Sequence, residues 1–140
     1  MSDLETAQRC ADAMMSNDKS SQALGIEVSI PSPGEAIATM TVREDMANGW
    51  DVIHGGLTFT LADTAFAFAC NAYDNQTFAA SGQIEFLRPA VVGDVLTATA
   101  REEHRGRRSG HYTVSVQNQR DELVALFRGR SVSNGESVLK

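Results

Sequence analysis

A single run, from His54-Gly55-Gly56 to Cys70-Asn71, does most to limit what this chain can fold into. A glycine pair opens it, and alanines at 62, 65, 67 and 69 favour helix. Apolar side chains fall on two faces at once: Leu57, Leu61, Ala65 and Phe68 on one, and Phe59, Ala62, Phe66 and Ala69 on another. A helix apolar on that many sides has to be wrapped by other elements. Inside it stands one carboxylate, Asp63. Moving a carboxylate out of water costs on the order of several kcal/mol unless partners or protonation compensate. Titratable groups in apolar surroundings concentrate at functional sites, so Asp63 reads first as a catalytic group and second as a structural carboxylate capping a nearby loop.

The rest of the chain supplies the wrapping. Residues 3 to 15 carry Leu4, Ala7, Ala11 and Met14 or Met15 at helical spacing, and Ser16-Asn17-Asp18 break the pattern before a short helix ending near Gly25. The period then changes to two. Ile26, Val28 and Ile30, then Ala36, Ala38, Met40 and Val42, alternate with polar residues across a Pro31-Ser32-Pro33-Gly34 turn and predict a hairpin. A loop over 43 to 53 leads into the central helix. Beyond Asp74-Asn75-Gln76, strands are expected at 77 to 87, 94 to 104, 110 to 118 and 122 to 132, punctuated like an antiparallel meander. The expected architecture is α+β, one domain over residues 1–140, with a strongly bent antiparallel sheet around one long helix.

Charge and composition remove several function classes. A net charge of -6 argues against a general nucleic-acid binder. Two cysteines, Cys10 and Cys70, are too few for a disulfide framework, and neither clusters with His54, His104 or His111 as metal ligands would; no metal site is expected. The acidic start Met-Ser-Asp-Leu-Glu is unlike a secretory signal, and no stretch approaches the ~18 apolar residues of a membrane span, so a cytoplasmic protein without a membrane partner is expected.

What chemistry remains follows from spacing. A helix opened by Gly55-Gly56 presents unpaired N–H groups and the positive end of its dipole, suited to polarising a carbonyl oxygen. Asp63 lies eight residues on, about 12 Å along the axis, too far for both to touch one carbonyl group. If they act together they come from different chains, which predicts a dimer at minimum, with two equivalent sites. Asn48 is placed to hydrogen-bond a water or the substrate carbonyl, although Asn-Gly is also an ordinary turn. His54 either orients the loop or touches substrate. Nucleophile elbow, phosphate loop and dinucleotide fingerprint are all absent. Acyl transfer to water is the economical remainder, by attack of the Asp63 carboxylate or by its activation of water. Arg88 beside Pro89, and Arg101, Arg105, Arg107 and Arg108 around a turn, are either solvated or set against the phosphates of an anionic carrier. Ser81 and Gln83 share one face of the strand after the helix and are candidates to line the site.

The stretch Asn48 to Asn71, with Phe86-Leu87-Arg88-Pro89 and Ala125-Leu126-Phe127-Arg128-Gly129, resembles hotdog-fold acyl-CoA thioesterases of the phenylacetate-degradation type. Its sharpest element is His54-Gly55-Gly56 followed by Leu61-Ala62-Asp63-Thr64-Ala65-Phe66-Ala67. The resemblance implies that Asp63 is the catalytic carboxylate, that Gly55 gives the polarising N–H, and that Asn48 and His54 occupy motif positions. It further implies an assisting serine near Ser81, and carrier contacts from Arg88 to Gly93, including Pro89, and from Arg107 to Gly110. Implied too are aryl-acetyl or hydroxyphenylacetyl thioesters of coenzyme A as substrates, coenzyme A entering as part of the substrate with no separate cofactor, and a homotetramer built from two dimers.

Two rivals share the fold. A non-catalytic acyl-CoA-binding module would not need a carboxylate at 63. An enoyl-CoA hydratase would pair a histidine, for which His54 is available, with an acid across the site.

Overall fold

The computed structural model describes all of Met1–Lys140. Helix α1 (Asp3–Asn17) starts at Ser2, whose hydroxyl accepts the Glu5 N–H at 3.1 Å, and breaks where expected before the short α2 (Lys19–Ala23). β1 (Glu27–Ser29) and β2 (Glu35–Thr41) form the antiparallel hairpin that the alternation predicts. A 3-10 turn at Glu44–Met46 precedes α3 (Gly55–Cys70), the long helix. β3 (Thr77–Phe86), β4 (Val95–Arg105), β5 (Ser109–Gln117) and β6 (Leu123–Ser133) follow within a residue or two of the expected spans.

The six strands make one antiparallel sheet in the order β1-β2-β4-β5-β6-β3. This corrects the expected four-strand meander, which holds only for β4 to β6. α3 carries the chain across the sheet, so β3 enters at the far edge beside β6, and residues 87 to 94 return to place β4 next to β2. Turn signals fix how strands are separated along the chain, whereas the neighbour of each strand is decided by where α3 delivers it.

Alternation explains how the sheet holds the helix. One face presents Ala36, Ala38, Leu96, Ala98, Val114 and Phe127, all buried, and the opposite face presents threonines, serines and arginines. Ala36 pairs with Ala100 and Ala38 with Ala98, a flat row onto which Ala62, Ala65 and Ala69 of α3 close with no exposed surface. Larger groups gather further on. Phe66 lies 5.7 Å from Phe127 and 5.5 Å from Tyr112, between ring centroids, while Phe59 meets Phe127 edge-on at 5.3 Å. The paired glycines Gly82 and Gly129 make room for them, since a Cβ on Gly129 would come within 2.8 Å of Phe66.

α3 is not buried all round. Gly56, Thr60, Asp63 and Ala67, at helical spacing, form its less covered stripe, and Asp63 is half-buried there. Both cysteines are free and buried. No helix is long and apolar enough to cross a membrane.

Candidate active site

The approach to α3 is pinned by backbone. Ile53 N–H donates to Ala90 O and His54 N–H to Met46 O, each at 2.8 Å, fixing where the helix begins. His54 is its N-cap: its Nδ1 accepts the Gly56 N–H at 2.9 Å, and its carbonyl accepts from Leu57 and Thr58. Of the first-turn amides, Gly55 N–H alone has no acceptor. The sequence suggests two free amides from the glycine pair; the histidine cap takes one, and that commitment leaves it poorly placed for the acid-paired role a hydratase needs.

Neither glycine has positive φ, so neither is required for backbone freedom. Both sit where space is tight. A Cβ on Gly56 would sit 3.0 Å from His54 Nδ1, and one on Gly55 would sit 3.1 Å from the Phe86 ring. The His-Gly-Gly motif and Phe86-Leu87-Arg88-Pro89 are thus two halves of one structure: Gly55, Phe86, Leu87, Arg88 and Pro89 share a cleft of about 340 Å3.

Asp63 lies elsewhere. It lines a cleft of about 890 Å3 between α1, α3, the start of β3 and the C-terminal segment Ser137–Lys140. Burial pushes its carboxyl above the usual range, and no hydrogen bond or ion pair offsets that. The alternative of a structural carboxylate capping a loop is therefore not what the chain builds. Glu102 shows the contrast. Its Oε1 accepts from both Tyr73 and Tyr112 hydroxyls at 2.9 Å, with Arg105 at 3.7 Å. Tyr73, desolvated and bonded to that carboxylate, is pushed up to about 12.

Within one chain the expected site residues are only partly gathered. Asn48 Oδ1 accepts the Trp50 N–H at 2.8 Å, and its backbone closes the turn with Val52, so its oxygen is used locally and its amide nitrogen is the group left to act. Ser81 and Gln83 do share a face, but it is the outer one, opposite α3, where they lie in a recess with His111, Arg128 and Arg130. Arg88 pairs with Glu122 at 3.1 Å beside the Gly55 cleft. Arg107 and Arg108 stand at the other end of α3, near Cys70 and Tyr73. The two basic groups are thus apart in one chain. Gly110 is buried, and a Cβ there would meet the Tyr112 ring at 2.8 Å, so its glycine serves packing.

The sequence reading misses the walls of the Asp63 cleft. Met14, Phe78, Val138 and Leu139 contribute its apolar lining, from α1, β3 and the chain end. Neither the helical spacing of residues 3 to 15 nor anything in residues 137 to 140 marks them as walls of a cleft.

Residues 51–125 match the family model of the thioesterase superfamily. The chain is 46% identical over 128 residues to the acyl-coenzyme A thioesterase PaaI of Escherichia coli (strain K12), covering 91% of each. It superposes on the structure of the E. coli PaaI protein from the phenylacetic acid degradation operon with a TM-score of 0.95, at 45% identity, over 97% of this chain and 99% of that one. An Asn-to-Asp variant of the phenylacetic acid degradation protein PaaI from Thermus thermophilus aligns with a TM-score of 0.78 and 36% identity, covering 82% of this chain and 98% of the other. With its sheet wrapped around α3, the chain belongs to the thioesterase superfamily and has the hotdog fold.

Proposed function

We propose that this protein is an acyl-CoA thioesterase hydrolysing aryl-acetyl thioesters of coenzyme A, with Asp63 of one protomer and Gly55 N–H of its partner at each site. The observation that carries the reading is the pairing of two unsatisfied groups in separate clefts: a half-buried carboxylate with no partner and a helix-terminal amide with no acceptor. About 12 Å of helix separates them, so one chain cannot bring both to a single thioester.

β3 supports the second protomer. It is a ten-residue strand at the sheet edge, with Glu85 its only charged residue and Phe78 and Phe86 more than half exposed. An edge that long and that apolar calls for pairing. Antiparallel addition of a second β3 continues the sheet and carries the partner's Gly55 cleft to the Asp63 cleft, giving two equivalent sites about a two-fold axis. The homotetramer of two such dimers and the cytoplasmic setting belong to the same reading.

In the reaction the Gly55 N–H, at the positive end of α3, holds the thioester oxygen as it gains charge. Asp63 either attacks the carbonyl carbon, forming an anhydride as thiolate leaves, or takes a proton from the attacking water. Thiolate is a good leaving group, so a carboxylate suffices. Asn48 Nδ2 is the candidate to hold the water or acyl group, Ser81 being on the far face of the sheet, and Arg88, Arg107 and Arg108 are candidates to meet the phosphates. The test is coenzyme A release from phenylacetyl-CoA by the wild type and by Asp63→Asn. Release by the first and not the second supports the reading; binding without release by either would make the protein a carrier.

A further inference from the structure

The Asp63 cleft has a wall that the catalytic reading does not require. Its floor runs along α3 from Asp63 through Ala67 to Asn71, about 12 Å. Past that end, the turn between α3 and β3 holds the end of the chain in place. Asp74 Oδ1 accepts the Ser137 hydroxyl at 2.7 Å and the Leu139 N–H at 2.9 Å. Two residues after Asp74, Gln76 N–H donates to Glu136 O at 2.7 Å, and Asn134 N–H donates to Gln76 O at 3.1 Å. Two residues of one turn thus hold the chain from 134 to 139.

Asp74 also faces α1. Its carboxyl is held below the ordinary range by the Ser137 hydroxyl first and the Leu139 N–H next, with a smaller contribution from Arg9 of α1. Helix end and chain end therefore meet at one side chain, on the cleft that α1 closes. The turn adopts a left-handed backbone at Asp74, φ 53°, which aspartate and asparagine tolerate better than most side chains. Val138 and Leu139 line the cleft together with Met14 and Phe78.

We propose that the segment Ser137–Lys140, latched by Asp74, is the stop of the acyl cleft, and that it sets the longest acyl group the protein accepts. An aryl-acetyl group on a carbonyl at Asp63 ends within the floor, whereas a dodecanoyl chain runs past Asn71 into Val138 and Leu139. Asp74 is a positioning residue that acts through the tail. The inference rests on the thioesterase reading for the identity of the occupant.

Two kinds of variant test it. Asp74→Gly removes the acceptor without backbone strain, and the double change Ser137→Ala with Leu139→Pro removes both donors while leaving Asp74 in place. Affinity for non-hydrolysable phenethyl and dodecyl thioethers of coenzyme A is measured by calorimetry, beside kcat and KM on the matching thioesters. Both variants should shift the affinity ratio toward the dodecyl compound by about tenfold or more, with the change on dodecanoyl-CoA appearing in KM rather than kcat. Asp74→Asn, which keeps the accepting oxygen, should retain the wild-type ratio. An unchanged ratio in both disrupting variants overturns the inference, as does the absence of thioether binding by every form. A shifted ratio without turnover by the wild type keeps the stop and rejects hydrolysis.

Discussion

His54 Nδ1 accepts the Gly56 N–H at 2.9 Å, and this one bond determines which amide of α3 is free for chemistry. With Leu57 and Thr58 served by the His54 carbonyl, Gly55 N–H faces its cleft alone. The bond needs an unprotonated Nδ1, so the ring acts here as a neutral acceptor, with Nε2 carrying the proton. A motif that reads as three potential reactants is one cap, one spacer and one donor.

Loss of the cap should register in stability. His54→Ala is expected to lower the unfolding free energy by about 1 kcal/mol, and His54→Asn, another capping side chain, to restore most of it. Midpoints in urea with an unchanged slope measure both.

Asp63→Asn should reduce kcat/KM for phenylacetyl-CoA by about 100-fold or more, the scale of a lost acid–base group. In the wild type, kcat/KM should rise with pH through the carboxyl's titration, which burial displaces upward from its ordinary 3.8. A pH–rate profile of each form reads this directly. The acid limb should be missing from whatever activity Asp63→Asn retains.

The same displacement makes a stability prediction of opposite sense. Asp63's folded pKa is raised, so the folded state binds the proton more tightly than the unfolded chain does. Stability is then lost as pH rises from 3.8 through the raised value, and the deficit persists at neutral pH. Asp63→Asn should therefore melt higher than wild type at neutral pH, with the gap closing in acid. Thermal scans across that range suffice, and a carboxylate kept at a cost to stability is the pattern of a functional group.

β3 offers a separate handle on assembly. Ala79 pairs with Ser131 and Ser81 with Arg130, so Ala80 is skipped in the ladder to β6. Ala80→Pro should block the free edge while sparing that ladder, giving a folded monomer by sedimentation with thioesterase activity lost. A dimer of wild-type affinity would place the protomer contact elsewhere.

How far the fold was legible follows from which interactions are local. The apolar faces of α3, the alternation of β2 and the Pro31–Gly34 turn are signals within a few residues, and each element appears where its pattern put it. Asp63 stood out because an acid in a run of alanine and phenylalanine is a local contradiction. The neighbour of β3 was not legible, because pairing with β6 depends on the path of α3. Nor was the wall made by Ser137–Lys140, whose position rests on Asp74 and Gln76, about 60 residues away. The alternation puts Ser81 and Gln83 on one face, but which face points at the helix is fixed by their register with Arg130 and Arg128.

Complementation tests the shared site most directly. Asp63→Asn keeps Gly55 N–H, and Gly55→Pro removes that N–H at a helix position that accepts proline, needing only a small shift of the exposed Phe86 ring. Each variant alone should be inactive. Co-refolded in equal amounts, half of the dimers are mixed and hold one intact site of two, so coenzyme A release should return to about a quarter of wild type. Recovery to that level is the predicted result. A mixture no more active than its parents would contradict the sharing of each site between two chains.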